Sequence, residues 1–287
     1  MTKKAKDFDL KITHPDKLLY HSPEMTKLDI LNYYDQVAKR MFPYLDHRLL
    51  TVVRCPDGII ESCFYMKHPN HSNENIQITS IEEESGEKGK YFYLNDEKGI
   101  LYQNEMNTLE FHSWGSQVKN LEKPDLLVFD LDPDQSLALD KVQKGARDLK
   151  DLLDDYSLTS YLKTSGGKGY HILVPIKTNS SWNELHNFAE KIANKMEEKR
   201  PEDYTSSSKK EDRKNKIFID WLRNVRGATI VAPYSLRARK GAKVSMPISW
   251  DELDSVAPDA IDMEEALNRI EKEDPWKNFF DEEQELN

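Results

Sequence analysis

Cysteine is scarce in this chain: two in 287 residues, Cys55 and Cys63. They lie eight positions apart, with no second Cys or His pair at metal spacing, which excludes a zinc framework and a disulfide-dense scaffold. Two reduced thiols, buried or half-buried, are the expectation. No apolar run approaches the roughly 18 residues of a membrane span. The N-terminal stretch MTKKAKDFDL is charged and has no apolar signal core, so a cytoplasmic location is expected. Also missing are an internal repeat and the Walker A pattern Gly-x-x-x-x-Gly-Lys-Ser/Thr. Aromatics are plentiful: thirteen Tyr, ten Phe and five Trp exclude disorder over most of the length. The length suits one large domain or two lobes sharing a cleft.

A net charge of −10 argues against a nucleic-acid partner until its distribution is considered. Residues 251–287 hold 14 acidic and 3 basic side chains, so the preceding chain is nearly neutral. Between Arg223 and Lys243 lie six cations and no acid. Local field, not net charge, attracts a phosphate. The acidic end is expected to be a solvated helix and tail.

Periodicity predicts helices over 26–41, capped by Thr26, over 136–153, and over 181–199, opened by a Ser181-x-x-Glu184 capping box. Strands are expected at 49–53, 58–66, 126–131, 158–163, 170–176 and 216–222. Polar connections are expected at 68–75, at 82–90, and at 201–216, the last a mobile loop. A final helix falls near 263–271. The irregular alternation of strands and helices indicates an α/β or α+β fold rather than a sandwich.

LLVFDLDPD, residues 126–134, ends an apolar strand with Asp130 and Asp132. Period-two geometry puts both carboxylates on one side, about 6–7 Å apart. Hard oxygen ligands on a rigid edge suit Mg²⁺ or Mn²⁺; a polar strand end with a turn is the other reading. Asp220, in KIFIDWL, is a carboxylate among apolar neighbours that needs a cation or hydrogen bonds. It either joins Asp130 and Asp132 in a two-metal cage or faces solvent on an edge strand. KTSGGKGYH, residues 163–171, is a phosphate cradle or a tight hairpin. Its glycines allow close anion approach, and Ser165, Lys168 and His171 add donors. The basic segment after Asp220 offers Arg237 and Arg239, whose forks match phosphate oxygens; a solvated basic strand is the alternative.

Carboxylates beside triphosphate-directed cations are what polyphosphate transfer needs. THPDKLLY (13–20), VVRCPDG (52–58), CFYMKH (63–68), LVFDLDPD (127–134), KTSGGKGYHILVPI (163–176) and FIDWLRNVRGATIVAPYSLRARKGAKVSMPISWDEL (218–253) together resemble the polymerase domain of the bacterial end-joining ligase D. That family is a branch of the archaeo-eukaryotic primase superfamily. The resemblance runs from about residue 8 to residue 257. It implies a primase-like α/β core with an RRM-like sheet and a second α/β lobe around a cleft. Residues 1–257 would form that catalytic domain and 258–287 an acidic helix and tail.

The resemblance places the metal carboxylates on Asp130, Asp132 and Asp220, for two Mn²⁺ or Mg²⁺ ions. It places nucleotide contacts on Ser165, Lys168, His171, Arg223, Thr229, Arg237, Arg239 and His112. A 5′-phosphate of gapped or broken DNA would meet Lys17, Lys27, Arg54 and His14, and Phe64 and Tyr65 would stack on the template. His14 departs from the Asn of many relatives, and Tyr65 from the more usual second Phe.

The implied activity is template-dependent addition of nucleotides, preferentially ribonucleotides, to primer 3′ ends in end-joining repair, with Ku and a DNA ligase as partners. In a bacterial or archaeal cell the protein would be nucleoid-associated. A nick-sealing Lys-x-Asp-Gly signature is absent, so the chain is a stand-alone member or an excised domain. A de novo primase, a metal-dependent nuclease and a non-catalytic DNA end-bridging module remain open as alternatives.

Overall fold

The computed structural model describes residues 3–69, 72–83 and 85–286. In chain order the elements are β1 (Leu18–His21), β2 (Glu24–Thr26), α1 (Lys27–Met41), β3 (Arg48–Arg54), β4 (Phe64–Met66), β5 (Ile76–Glu82), β6 (Lys88–Leu94), α2 (Lys98–Glu105) and β7 (Thr108–Gln117). There follow β8 (Leu126–Pro133), α3 (Leu139–Asp155), β9 (Tyr161–Thr164), β10 (Tyr170–Pro175), α4 (Trp182–Lys199), β11 (Tyr204–Thr205), β12 (Ile217–Asp220), β13 (Thr229–Val231), β14 (Pro247–Ile248) and α5 (Met263–Ile270). The chain divides into two compact units. The first comprises Met1–Ser113, Val231–Ser245 and Asp262–Lys272; the second comprises Trp114–Ile230, Met246–Ile261 and Glu273–Asn287.

In the first unit, α1 begins where the sequence predicts. Thr26 accepts from the Asp29 amide, and the Asp29 carboxylate accepts from the Thr26 amide, a reciprocal cap that satisfies two donors otherwise left over at a helix start. Leu31, Tyr34, Ala38 and Met41 are buried, as their spacing requires. β3 lies between β7 and β4, and β5 pairs antiparallel with β6. Glu84, in the connection between β5 and β6, and Asn70 and His71, in the loop expected over 68–75, lie outside the described residues.

The second unit is built on a six-stranded sheet in the order β11-β12-β8-β10-β9-β14. Leu127, Phe129 and Leu131 of β8 are fully buried, and α3 and α4 pack on β8 and on each other. The Ser181–Glu184 capping box forms at the start of α4.

Four sequence expectations need correction. Cys55 and Cys63 are not thiols but a disulfide, with Cα atoms 4.3 Å apart. The strand expected over 58–66 is only Phe64–Met66. Gly58 turns the chain at φ +84°, and its amide and that of Ile59 bond the Cys55 and Leu19 carbonyls instead of a ladder. The segment 201–216 is not wholly a loop: it holds β11 and a 3-10 turn over Lys210–Arg213, Ser206 bonds Glu197, Ser207 bonds Asp212, and Arg213 reaches Asp132. The acidic end is not merely solvated, since Trp276 and Phe279 are buried, stack on each other and meet Tyr161 edge-on.

Candidate active site

Strand register assembles the centre of the second unit. Asp220 of β12 stands directly opposite Asp130 of β8, Asp130 opposite His171 of β10, and His171 opposite Lys163 of β9. Residues directly opposed in a sheet project from the same face. One transverse row therefore carries Asp220, Asp130, His171 and Lys163 across four strands. Asp132, two residues beyond Asp130, shares that face.

The charges in this row act on one another. His171 Nδ1 lies 2.6 Å from Lys163 Nζ, and its Nε2 lies 3.4 Å from Asp130 Oδ1. Burial pushes the Asp130 carboxyl up, but His171, Arg223 and Lys163 outweigh it and bring it down to about 2. Burial and the neighbouring Asp130 charge push Asp132 up, against the pull of Arg213, Lys168 and Arg223. Asp220 is also raised, by burial and by Asp130, although Arg223 Nε sits 3.2 Å from its Oδ2.

Asp132 is turned toward Arg213, whose Nη1 is 3.1 Å from Oδ2 and whose guanidinium stacks 3.8 Å from the Phe218 ring. Among the described residues no three His, Cys, Asp or Glu side chains already converge on one point as a metal-binding set. Asp130, Asp132 and Asp220 thus share one sheet face, with Asp132 paired to Arg213 and Asp220 to Arg223. The donor chemistry nevertheless fits a divalent cation. Three hard carboxylates share a face, and burial together with the Asp130 charge raises two of them, a cost that a cation relieves.

The 163–171 loop closes beside the row. The Ser165 hydroxyl accepts from the Gly167 amide, and the Gly166 amide bonds the Pro258 carbonyl. Lys168 is exposed, and Thr229 half-buried, at the start of β13.

Other expected residues lie in the first unit. His112 is buried on β7 beside Glu110, and Arg237 points at the same carboxylate. Arg239 is exposed. The turn at 14–17 sits on the start of α1, where the Lys27 and Leu28 amides bond the Lys17 and Pro15 carbonyls. His14, exposed, opens that turn at φ +49°. Lys17 pairs with Asp57 at 2.7 Å. Lys27 is buried and held by Glu105 at 2.9 Å. Arg54 donates to the Met106 carbonyl and lies over the Phe64 ring. Phe64 and Tyr65 are large exposed aromatics, Tyr65 at 71%.

Three residues escaped the sequence reading: Lys163, Glu110 and Arg213. For the first two a signal existed, a charge inside an apolar strand pattern. Arg213 sits in a charged run, where nothing distinguishes it from its neighbours.

The sheet and its carboxylate row define a mixed α/β fold of the primase-polymerase kind. The model of the LigD primase-polymerase domain matches residues 26–276, and the chain belongs to that family. It is 33% identical over 279 residues to the multifunctional non-homologous end joining protein LigD of Pseudomonas aeruginosa, covering 94% of this chain and 33% of that protein. With the bifunctional LigD of Bacillus subtilis it shares 30% identity, over 94% of this chain and 44% of that protein. The chain thus spans between a third and a half of the length of these relatives. Among solved structures it is similar to the polymerase domain of Mycobacterium tuberculosis ligase D in complex with DNA, with a TM-score of 0.88 and 28% identity. That match covers 96% of this chain and 99% of the other.

Proposed function

We propose that this chain is a template-dependent polymerase that adds nucleotides, ribonucleotides in preference, to primer 3′ ends at gaps or breaks bearing a 5′-phosphate. The observation that carries this reading is the transverse row, in which strand register sets two carboxylates side by side with a His and a Lys behind them. In the reaction the primer 3′-oxygen attacks the α-phosphorus, a phosphodiester forms, and pyrophosphate leaves.

Asp130, Asp132 and Asp220 would hold two divalent ions, Mn²⁺ or Mg²⁺. Such ions supply hydroxyl activation and charge neutralisation on the leaving pyrophosphate. Ser165, Lys168, His171, Arg223, Thr229, His112, Arg237 and Arg239 are the proposed nucleotide-binding residues. Arg213 and Arg223 pair with Asp132 and Asp220 in this structure and would give way at these carboxylates where they hold cations. Lys17, Lys27, Arg54 and His14 bind the downstream 5′-phosphate, and Phe64 and Tyr65 stack on the template. Family membership supports a role in end joining, with Ku and a DNA ligase as partners.

Primer extension on a gapped duplex with a downstream 5′-phosphate tests the reading. Mn²⁺ is supplied, ribo- and deoxyribonucleotides are compared, and Asp130→Ala runs in parallel. Templated addition that the variant loses, with DNA binding retained, supports a polymerase. Strand loss instead of extension means a nuclease, and products without a primer mean a primase. Phosphate-dependent DNA binding by folded wild type without any addition means an end-bridging module.

A further inference from the structure

Glu110 is a carboxylate in the middle of β7, where every residue from Thr108 to Trp114 is buried. It is itself only 4% exposed. An ionised group there is tolerated only if donors converge on it, and three do. Oε1 accepts from the Ala238 amide at 2.6 Å. Oε2 lies 2.9 Å from His112 Nε2 and 3.2 Å from Arg237 Nε. At Nε the arginine contact is an ion pair without hydrogen-bond alignment.

These partners come from two places in the chain. His112 is two residues along the same strand and therefore on the same face as Glu110. Arg237 and Ala238 belong to the basic segment that follows β13. That segment is anchored at both sides of Arg237. The Arg237 amide bonds the Lys243 carbonyl, its carbonyl accepts from the Tyr20 hydroxyl, and the Gly241 amide bonds the Ser22 carbonyl. Backbone bonds fix where the segment runs. Glu110 is the carboxylate that the guanidinium meets through Nε.

An ionised carboxylate only accepts hydrogen bonds. The nitrogen of His112 that meets it therefore carries a proton, and in the neutral ring that proton sits on Nε2. Glu110 stays ionised at any working pH. Burial raises its carboxyl, but His112, Arg237 and the Ala238 amide together bring it down to about 2.

We infer that Glu110 is a positioning residue for nucleoside triphosphate binding, setting the tautomer of His112 and the orientation of Arg237 through one buried carboxylate. The substrate part rests on the proposed function, which gives His112 and Arg237 to the triphosphate. The tautomer part rests on the first unit alone. Partners of this kind, which orient a group that touches the ligand, change affinity by about 10- to 100-fold at metal sites.

The test joins two measurements on the full chain. The first is ¹⁵N–¹H correlation of the His112 ring in wild type at alkaline pH, which distinguishes Nε2–H from Nδ1–H without substrate or activity. The Nε2–H form is expected; an Nδ1–H ring overturns the proposal. The second is nucleotide-dependent primer extension by wild type, Glu110→Gln and Glu110→Asp, each with its thermal unfolding curve. Glu110→Gln keeps the shape and loses the charge. It should raise KM for the nucleoside triphosphate about 10- to 100-fold, with a smaller change in kcat. Glu110→Asp should recover part of that loss. A Glu110→Gln protein that melts earlier yet keeps the wild-type KM has lost only structure, and that result overturns the proposal. If Glu110→Gln does not fold, Glu110→Asp and the wild-type tautomer decide in the same way. If wild type holds the Nε2–H ring but neither binds nor incorporates nucleoside triphosphates, the proposed function fails and takes the substrate part with it.

Discussion

Lys163 Nζ lies 2.6 Å from His171 Nδ1, and the lysine is fully buried. An ammonium only donates, so it faces a ring nitrogen that accepts, and the ring proton then belongs on Nε2, the nitrogen facing Asp130. A buried cation is costly for the fold unless paired. Its position at the end of a row of charged groups gives that cost a use. Together with His171 and Arg223 it keeps Asp130 ionised beside two other carboxylates.

Replacing Lys163 should cost both stability and activity. Lys163→Met keeps the length of the side chain but removes one partner from the buried charges around His171 and Asp130, a break that is destabilising. Thermal unfolding should show a Tm below that of wild type. Nucleotide incorporation should fall by about 10- to 100-fold because His171 is no longer oriented. Wild-type incorporation by Lys163→Met would remove the lysine from the site's function.

Glu110 makes a prediction about acid stability. Its folded carboxyl lies near 2 against an ordinary value of 4.5. A depressed carboxylate stabilises the fold fully above its unfolded value, and the contribution disappears as pH falls through the folded value. Denaturant unfolding of wild type and Glu110→Gln should therefore differ most above about pH 4.5, by up to roughly 3 kcal/mol. The two curves should converge toward pH 2. A constant difference across that range would mean that the charge of Glu110 contributes nothing to the fold.

The two lysines at the start of α1 should behave differently. Lys17 is paired at the surface with the exposed Asp57, an arrangement worth little to stability. Lys17→Ala should leave Tm unchanged and reduce the preference for 5′-phosphorylated over unphosphorylated gaps. It should also lower the salt slope of DNA binding by about 1. Lys27 is buried against Glu105, so Lys27→Ala strands a carboxylate and should lower Tm as well. Fluorescence anisotropy with the two kinds of gap checks both. Equal affinity of Lys17→Ala and wild type for phosphorylated ends would take Lys17 out of the phosphate site.

Some of this was legible in the chain and some was not. The capping boxes at Thr26 and Ser181 and the carboxylates of LVFDLDPD are local, and local chemistry reads directly from sequence. The pairing of Asp220 with Asp130 depends on register between strands nearly ninety residues apart, which no periodicity contains. Lys163 and Glu110 are harder to read because His171 and Arg237, which give their charges a role, lie on another strand and another segment. Cys55 and Cys63 read as thiols only from the reducing compartment expected for the chain. Their proximity comes from the turn at Gly58, which folds the chain back so that the two Cα atoms stand 4.3 Å apart.

Gly169 separates a steric requirement from a conformational one. A Cβ at this position would stand 1.7 Å from the Leu131 carbonyl oxygen and 2.9 Å from its carbon. Both are backbone atoms of β8, between Asp130 and Asp132, and they cannot rotate away. β10 begins one residue later and sets His171 opposite Asp130. Gly169→Ala must therefore push β8 and β10 apart at the carboxylates. It should cost more than about 3 kcal/mol, the upper end of ordinary overpacking, and abolish incorporation. Gly86 provides the comparison. Its φ is +82°, but a Cβ there meets nothing within 4 Å, so Gly86→Ala should cost only the left-handed backbone, about 1–2 kcal/mol, and leave incorporation intact. Thermal unfolding and primer extension on both variants measure the contrast. A Gly169→Ala protein as stable and active as Gly86→Ala would mean that β8 can yield at Leu131 without disturbing the carboxylate row.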